Sequence, residues 1–88
     1  MITVHKQELA LVDVQVIEVP RYARMLHIGL QRGMPCIWYQ CDTDEPMTKM
    51  TIRCYGTGHP INEKGLAYFG TLLLRGDNLV LHYFVQNL

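Results

Sequence analysis

Arg24-Met25-Leu26-His27-Ile28-Gly29-Leu30-Gln31-Arg32-Gly33-Met34-Pro35-Cys36-Ile37-Trp38-Tyr39-Gln40-Cys41 is the stretch whose reading decides the fold. From Arg24 to Gln31 the residues alternate, with Leu26, Ile28 and Leu30 on one side and His27 and Gln31 on the other. A period of two is the mark of a β-strand with one face in a core. Arg32-Gly33 places glycine at the second position of a two-residue hairpin turn. Met34 to Cys41 then returns antiparallel. Its Ile37-Trp38-Tyr39 centre is apolar on both faces, as expected of a central strand or of one covered by a second subunit.

The same reading extends both ways. Ile2 to Glu8 is a first strand, with Ile2 and Val4 on one face. Leu11 to Val19 is a second, ended by Pro20. Val12, Val14 and Val16 share a face there, but Ile17 and Val19 take the other, which predicts a bulge near Ile17 or a strand buried on both sides. Asp42 to Met47 is an acidic connector. Thr48 to Tyr55 alternates again, with Met50, Ile52 and Cys54 opposite Thr51, Arg53 and Tyr55. Gly56 to Gly65 is a long loop for so small a domain, and such loops often carry function. Leu66 to Leu74 and Leu79 to Val85 form a last hairpin around Arg75-Gly76-Asp77-Asn78.

No segment holds a helical period, which leaves room only for a single helical turn near Arg21 to Arg24 or in the loop. About seven antiparallel strands in one 88-residue domain must close into a small β-sandwich or barrel, because an open sheet would leave an apolar face wet. Burial is expected at Leu26, Ile28, Leu30, Trp38, Ile52, Leu72 and Leu81.

Apolar residues make up 49% of the chain and charged residues 18%, against about a quarter in ordinary domains. Few charges are available to cover the surface, so a homo-oligomer that hides apolar area is expected. Trp38, Tyr39, Phe69, Tyr83 and Phe84 are the expected interface anchors. The formal charge is zero and no basic run occurs, which disfavours nucleic acid as a partner. No apolar run is long enough to span a bilayer, and Ile2 to Lys6 alternates rather than reading as a signal peptide. Cys36, Cys41 and Cys54 are odd in number and lack a Cys-x-x-Cys pair, so they read as small buried hydrophobes of a reducing cytoplasm, with no structural metal.

Catalytic equipment is sparse. The chain contains no serine, which removes Ser-His-Asp chemistry. Cys54 and His59 are a formal nucleophile–base pair, but Cys54 shares the core face of Met50 and Ile52. His5, His27, His59 and His82 have no metal-ligand spacing, and Asp42, Asp44 and Glu45 read as a solvated connector. No catalytic residue, metal or cofactor is assigned.

The stronger constellation is one of recognition. Arg53 and Tyr55 share a strand face that runs directly into Gly56, Thr57, Gly58 and His59. Arginine forks onto phosphate or carboxylate, tyrosine stacks on rings, and glycines admit a ligand to the backbone. These six residues are the candidate ligand-binding set, suited to a small anionic, ring-containing molecule. The same Gly-x-Gly spacing also suits an ordinary tight turn, with Arg53 in a surface ion pair.

Gly33-x-x-Cys36-x-Trp38, Tyr55-Gly56-Thr57-Gly58-His59-Pro60-Ile61, Tyr68-x-Gly70-Thr71 and His82-Tyr83-Phe84 together resemble a family of short phage-encoded proteins of unknown function. The likeness covers the chain from about Val14 to Val85, with Tyr39 and Tyr83 as departures that bear on a pocket rather than on the fold. The resemblance implies a phage or prophage origin and no established activity. Small phage proteins without catalytic equipment commonly act on host machinery, and one class sequesters nucleotide-derived signals of bacterial immunity as homo-oligomeric sponges. Two functions are therefore expected. The first is a non-enzymatic, anti-defence binder of a nucleotide-like molecule in the host cytoplasm. The alternative is a protein-interaction module, either a phage structural accessory or an inhibitor of a host protein.

Overall fold

The computed structural model describes residues 1–86. Seven strands are present: β1 (Ile2–Glu8), β2 (Val14–Pro20), β3 (Arg24–Gln31), β4 (Met34–Asp42), β5 (Met47–Gly56), β6 (Leu66–Leu74) and β7 (Leu79–Gln86). They form two antiparallel sheets, of order β1-β4-β3 and β2-β5-β7-β6, packed as a small β-sandwich. Leu9, Ile17, Val19, Ile28, Ile37, Tyr39, Ile52, Leu72 and Tyr83 meet in its core.

The β3–β4 hairpin turns as its sequence requires. Arg32 and Gly33 both have positive φ, 53° and 77°, the backbone that matches the twist of paired strands. β3 crosses over β6, and the approach is close enough that a Cβ at Gly70 would overlap Ile28 Cγ2.

Several expectations are corrected. β2 begins at Val14 rather than Leu11, because the Gln15 side-chain amide clips the preceding loop. Its Oε1 accepts from Ala10 N–H at 3.0 Å, and its Nε2 donates to Ala10 O at 2.9 Å. β2 pairs with β5 in continuous register, so no bulge lies at Ile17. Ile17 and Val19 point into the core while Val14 and Val16 lie exposed on the outer face. The bulges occur instead at Leu26 in β3 and Phe69 in β6, where the register slips. That slip turns Leu26 out of phase with Ile28, and Leu26 and Leu30 are both exposed. Trp38 is half-buried on the outer face against His27, with ring centroids 5.8 Å apart. Leu81 is partly buried beside the core. Tyr39 and Tyr83 are 4% and 0% exposed, so they are core residues and cannot anchor a subunit contact. All three cysteines are free and buried. No helix is long and apolar enough to cross a membrane among the described residues.

Candidate functional site

β5 carries Thr51, Arg53 and Tyr55 on its outer face, as its alternation requires, with Ile52 and Cys54 turned inward. Pairing with β7 sets Arg53 opposite Phe84 and Tyr55 opposite His82. Pairing of β7 with β6 then sets Tyr68 beside Phe84 and Thr71 beside His82. An aromatic row results across three strands. Tyr55 and Phe84 meet edge to face at 5.7 Å, and Phe84 and Tyr68 at 5.5 Å.

The loop after β5 folds back over this face. His59 N–H donates to Gly56 O at 3.1 Å, closing a turn whose third residue, Gly58, has φ +85°. Only glycine takes that conformation without strain, so the turn by itself accounts for Gly58. Gly56 has a different reason: a Cβ there would lie 2.9 Å from the His59 ring, which rests over the backbone. Thr57 Oγ1 is bound to His82 Nε2 at 2.8 Å, and His82 Nδ1 to Thr71 Oγ1 at 2.9 Å.

Glu63 completes the fold-back. Its carboxylate accepts from the Tyr55 hydroxyl and lies 3.8 Å from Arg53 Nη1. Arg53 Nε donates to Gln86 Oε1 at 2.7 Å. Burial raises the Tyr55 pKa, and the Glu63 carboxylate raises it further by accepting a hydrogen bond from the hydroxyl and by its charge, with Arg53 opposing. Tyr55 is therefore a fixed donor at neutral pH. Arg53 and Glu63 are both about three-tenths exposed, so water screens their attraction and the pair holds geometry more than it supplies stability.

A cavity of about 310 Å³ opens between the loop and the start of β2, lined by Asp13, Arg53, Cys54, Tyr55, His59, Pro60 and Glu63. A second hollow of about 280 Å³, lined by Gly56, Thr57, His59, Asn78, Leu79 and Val80, adjoins it through His59. The first is at the small end of the range usual for small-molecule sites, about 300–1,000 Å³.

The model of a domain of unknown function (DUF7352) matches residues 1–88. The chain belongs to the DUF7352 family. No curated protein and no solved structure matches it.

Of the six ligand-binding residues read from the sequence of this DUF7352 domain, Arg53, Tyr55 and His59 share the first cavity. Gly56 and Thr57 line the second with His59, and Gly58 lines neither. The guanidinium is not free to clamp an anion alone, because Glu63 and Asp13 face the same space and Gln86 holds its Nε. The cavity instead offers carboxylate acceptors beside an arginine donor. Sequence reading missed Asp13, Glu63, His82 and Gln86. The parity of β7 contained a signal for His82, which alternates with Tyr83 and stands on the Phe84 face. Glu63 had none, since it reaches Tyr55 through the path of an aperiodic loop. Among the described residues no group of three or more His, Cys, Asp or Glu side chains is placed to hold a metal ion.

Proposed function

We propose that this DUF7352 domain is a phage-encoded, non-enzymatic binding protein that sequesters a small nucleotide-like signalling molecule of host immunity in the bacterial cytoplasm. The observation that carries this reading is the convergence of Arg53, Tyr55, His59 and Glu63 on one cavity, with a second hollow adjoining at His59. A base or sugar bears both donors and acceptors, and the carboxylates and guanidinium of the first cavity complement such a mixed edge. The anionic end of the ligand then lies toward His59 and Thr57, away from the two carboxylates. Val14 and Val16, 45% and 57% exposed on the edge strand β2, offer apolar area for a second copy beside the cavity. Trp38, Phe69 and Phe84 are the remaining aromatic candidates for such an interface, since each keeps some surface.

Incubation of the purified protein with cyclic dinucleotides and ADP-ribose derivatives, followed by heat denaturation and chromatography of the released material, tests the reading. Intact ligand recovered from the protein supports a binder. A converted product overturns the non-enzymatic assignment. No retention favours the second reading, a protein-interaction module that docks on a host protein through an apolar face. Exposed Ile2 and Val4 on the edge strand β1 are the specific support for that alternative.

A further inference from the structure

A different group of residues gathers at the other end of β2, about 20 Å along the strand from Asp13. There Ala23 N–H donates to Pro20 O at 3.1 Å, and Arg21 N–H donates to Pro46 O at 2.8 Å. The first bond closes a turn whose third residue is Tyr22, at φ +67°. Glycine or asparagine fills such a position with little strain, and tyrosine does not. Strain of this kind is commonly offset by burial of the side chain, yet Tyr22 is 75% exposed. One face of its ring carries the Arg21 guanidinium, whose central carbon is 4.7 Å from the ring centroid. That cation–π contact sets Arg21 against the ring, and no side-chain hydrogen bond or ion pair of the guanidinium is formed among the described residues.

A cavity of about 280 Å³ opens beside this turn, and Arg21, Tyr22, Arg24, Gln40, Asp42 and Glu45 line it. Arg24 and Gln40 face one another across β3 and β4, so the cavity rests on the outer face of the three-stranded sheet. Neither Arg21 nor Arg24 forms an ion pair among the described residues. Asp42 is already engaged, since its Oδ1 accepts from the Met1 amino group at 2.9 Å and from Asp44 N–H at 3.0 Å. Glu45 is the remaining carboxylate, in reach of hydroxyl or amine donors on a ligand. Arg53 has Glu63 at 3.8 Å, whereas Arg21 and Arg24 share their cavity with Asp42 and Glu45 but are ion-paired to neither among the described residues.

We infer that the Arg21–Arg24 cavity is a separate binding site for a phosphate monoester that carries a planar ring. The two guanidiniums take the phosphate, and the exposed Tyr22 ring provides the stacking surface for the planar group. The strained backbone at Tyr22 is retained because it presents that ring to the cavity. This inference does not depend on a ligand at Arg53.

Calorimetric titration of the full chain with AMP, adenosine and inorganic phosphate tests it. AMP is expected to bind more tightly than either fragment. Arg21→Ala and Arg24→Gln should each weaken AMP by about tenfold, as loss of a charge-assisted contact does. Tyr22→Gly should raise the urea midpoint by relieving the backbone while it weakens AMP by a larger factor than inorganic phosphate, since Arg24 is untouched and only the stacking surface and the Arg21 contact are lost. Opposite signs in stability and affinity are not produced by a purely structural tyrosine. Arg75→Ala, at a residue that lines neither this cavity nor the one beside Arg53, should leave AMP affinity at its parental value. AMP binding that is lost in Arg53→Ala and kept in Arg21→Ala and Arg24→Gln would move the ligand to the first cavity and overturn this site. Absence of AMP binding at millimolar concentration, or full AMP affinity in Tyr22→Gly, would overturn it as well.

Discussion

Thr57 Oγ1 lies 2.8 Å from His82 Nε2, so the glycine-rich loop is tethered to the middle of β7 across 25 residues of chain. The other ring nitrogen of His82 is held by Thr71 at 2.9 Å, and Thr71 is bonded in turn to the Tyr68 hydroxyl at 2.6 Å. The loop therefore takes its position from β6 and β7 as much as from its own turn. Thr57→Val keeps the shape of the side chain and removes the hydroxyl. It should cost about 0.5–1.5 kcal/mol in chemical denaturation, the usual net worth of one hydrogen bond. Amide exchange at His59 should speed up in the variant while exchange in β4 stays the same. Equal exchange rates at His59 in parent and variant would show that the turn alone fixes the loop.

The contact between β3 and β6 sets the separation of the two sheets. Gly70 faces Ile28, and a Cβ at Gly70 would overlap the Ile28 Cγ2 methyl. Gly70→Ala should destabilise the fold by about 1–3 kcal/mol through overpacking. Ile28→Ala should cost about 2–5 kcal/mol on its own by leaving a cavity. The double variant should be less damaged than the sum of the two, since the new methyl fills space that the isoleucine has vacated. Additive losses in urea melts would show that the two side chains are not in direct competition.

The hydroxyl of Tyr83 is buried without a hydrogen-bond partner among the described residues. The neighbouring Cys54 thiol already donates to Val12 O at 3.2 Å. Desolvation, with lesser contributions from Cys54, pushes the Tyr83 pKa up to about 12 from an ordinary 10.0. Above pH 10 the unfolded chain releases this proton while the folded chain keeps it. The unfolded state then binds fewer protons, so stability falls with rising pH until the folded group also ionises near 12. Tyr83→Phe should remove this part of the alkaline loss. It should also leave neutral stability unchanged or raise it by about 1 kcal/mol, because a stranded polar group is deleted. Urea midpoints of parent and variant at pH 7, 9 and 11 check both statements. A large loss at pH 7 would mean that the hydroxyl has a partner.

Strand positions were legible because alternation is local: Arg24 to Gln31 and Thr48 to Tyr55 declare themselves without reference to any partner. Partnership was not. Nothing within Ile2–Glu8 names β4 as its neighbour, and the bulges at Leu26 and Phe69 exist only relative to the strands opposite them. The burial expected at Leu26 failed for that reason. Tyr39 and Tyr83 suit an interface in the sequence because aromatic residues on two-sided strands fit an interface and a core equally well, and only the packing of the two sheets places them in the core. Arg53 and Tyr55 were legible as a shared face, but the carboxylate that compensates Arg53 comes from a loop without period. Tyr22 had no signal at all, since its distinguishing feature is a backbone angle.

The two glycines of the loop separate shape from recognition. Gly58 has φ +85° and open space around its missing side chain, so alanine there meets strain and no collision. Gly58→Ala should lower stability by about 1–2 kcal/mol. Gly56 has an ordinary φ, and alanine there meets the His59 ring at 2.9 Å. A side-chain ring can swing aside where a backbone cannot, so Gly56→Ala should leave the unfolding midpoint nearly unchanged and displace His59. That residue lines both hollows, so its displacement alters the shape of each. Ring proton shifts of His59 should therefore change strongly in Gly56→Ala and weakly in Gly58→Ala, while thermal melts show the reverse order. If Gly56→Ala shifts neither the His59 resonances nor the capture of any nucleotide retained by the parent, the ring does not shape the site.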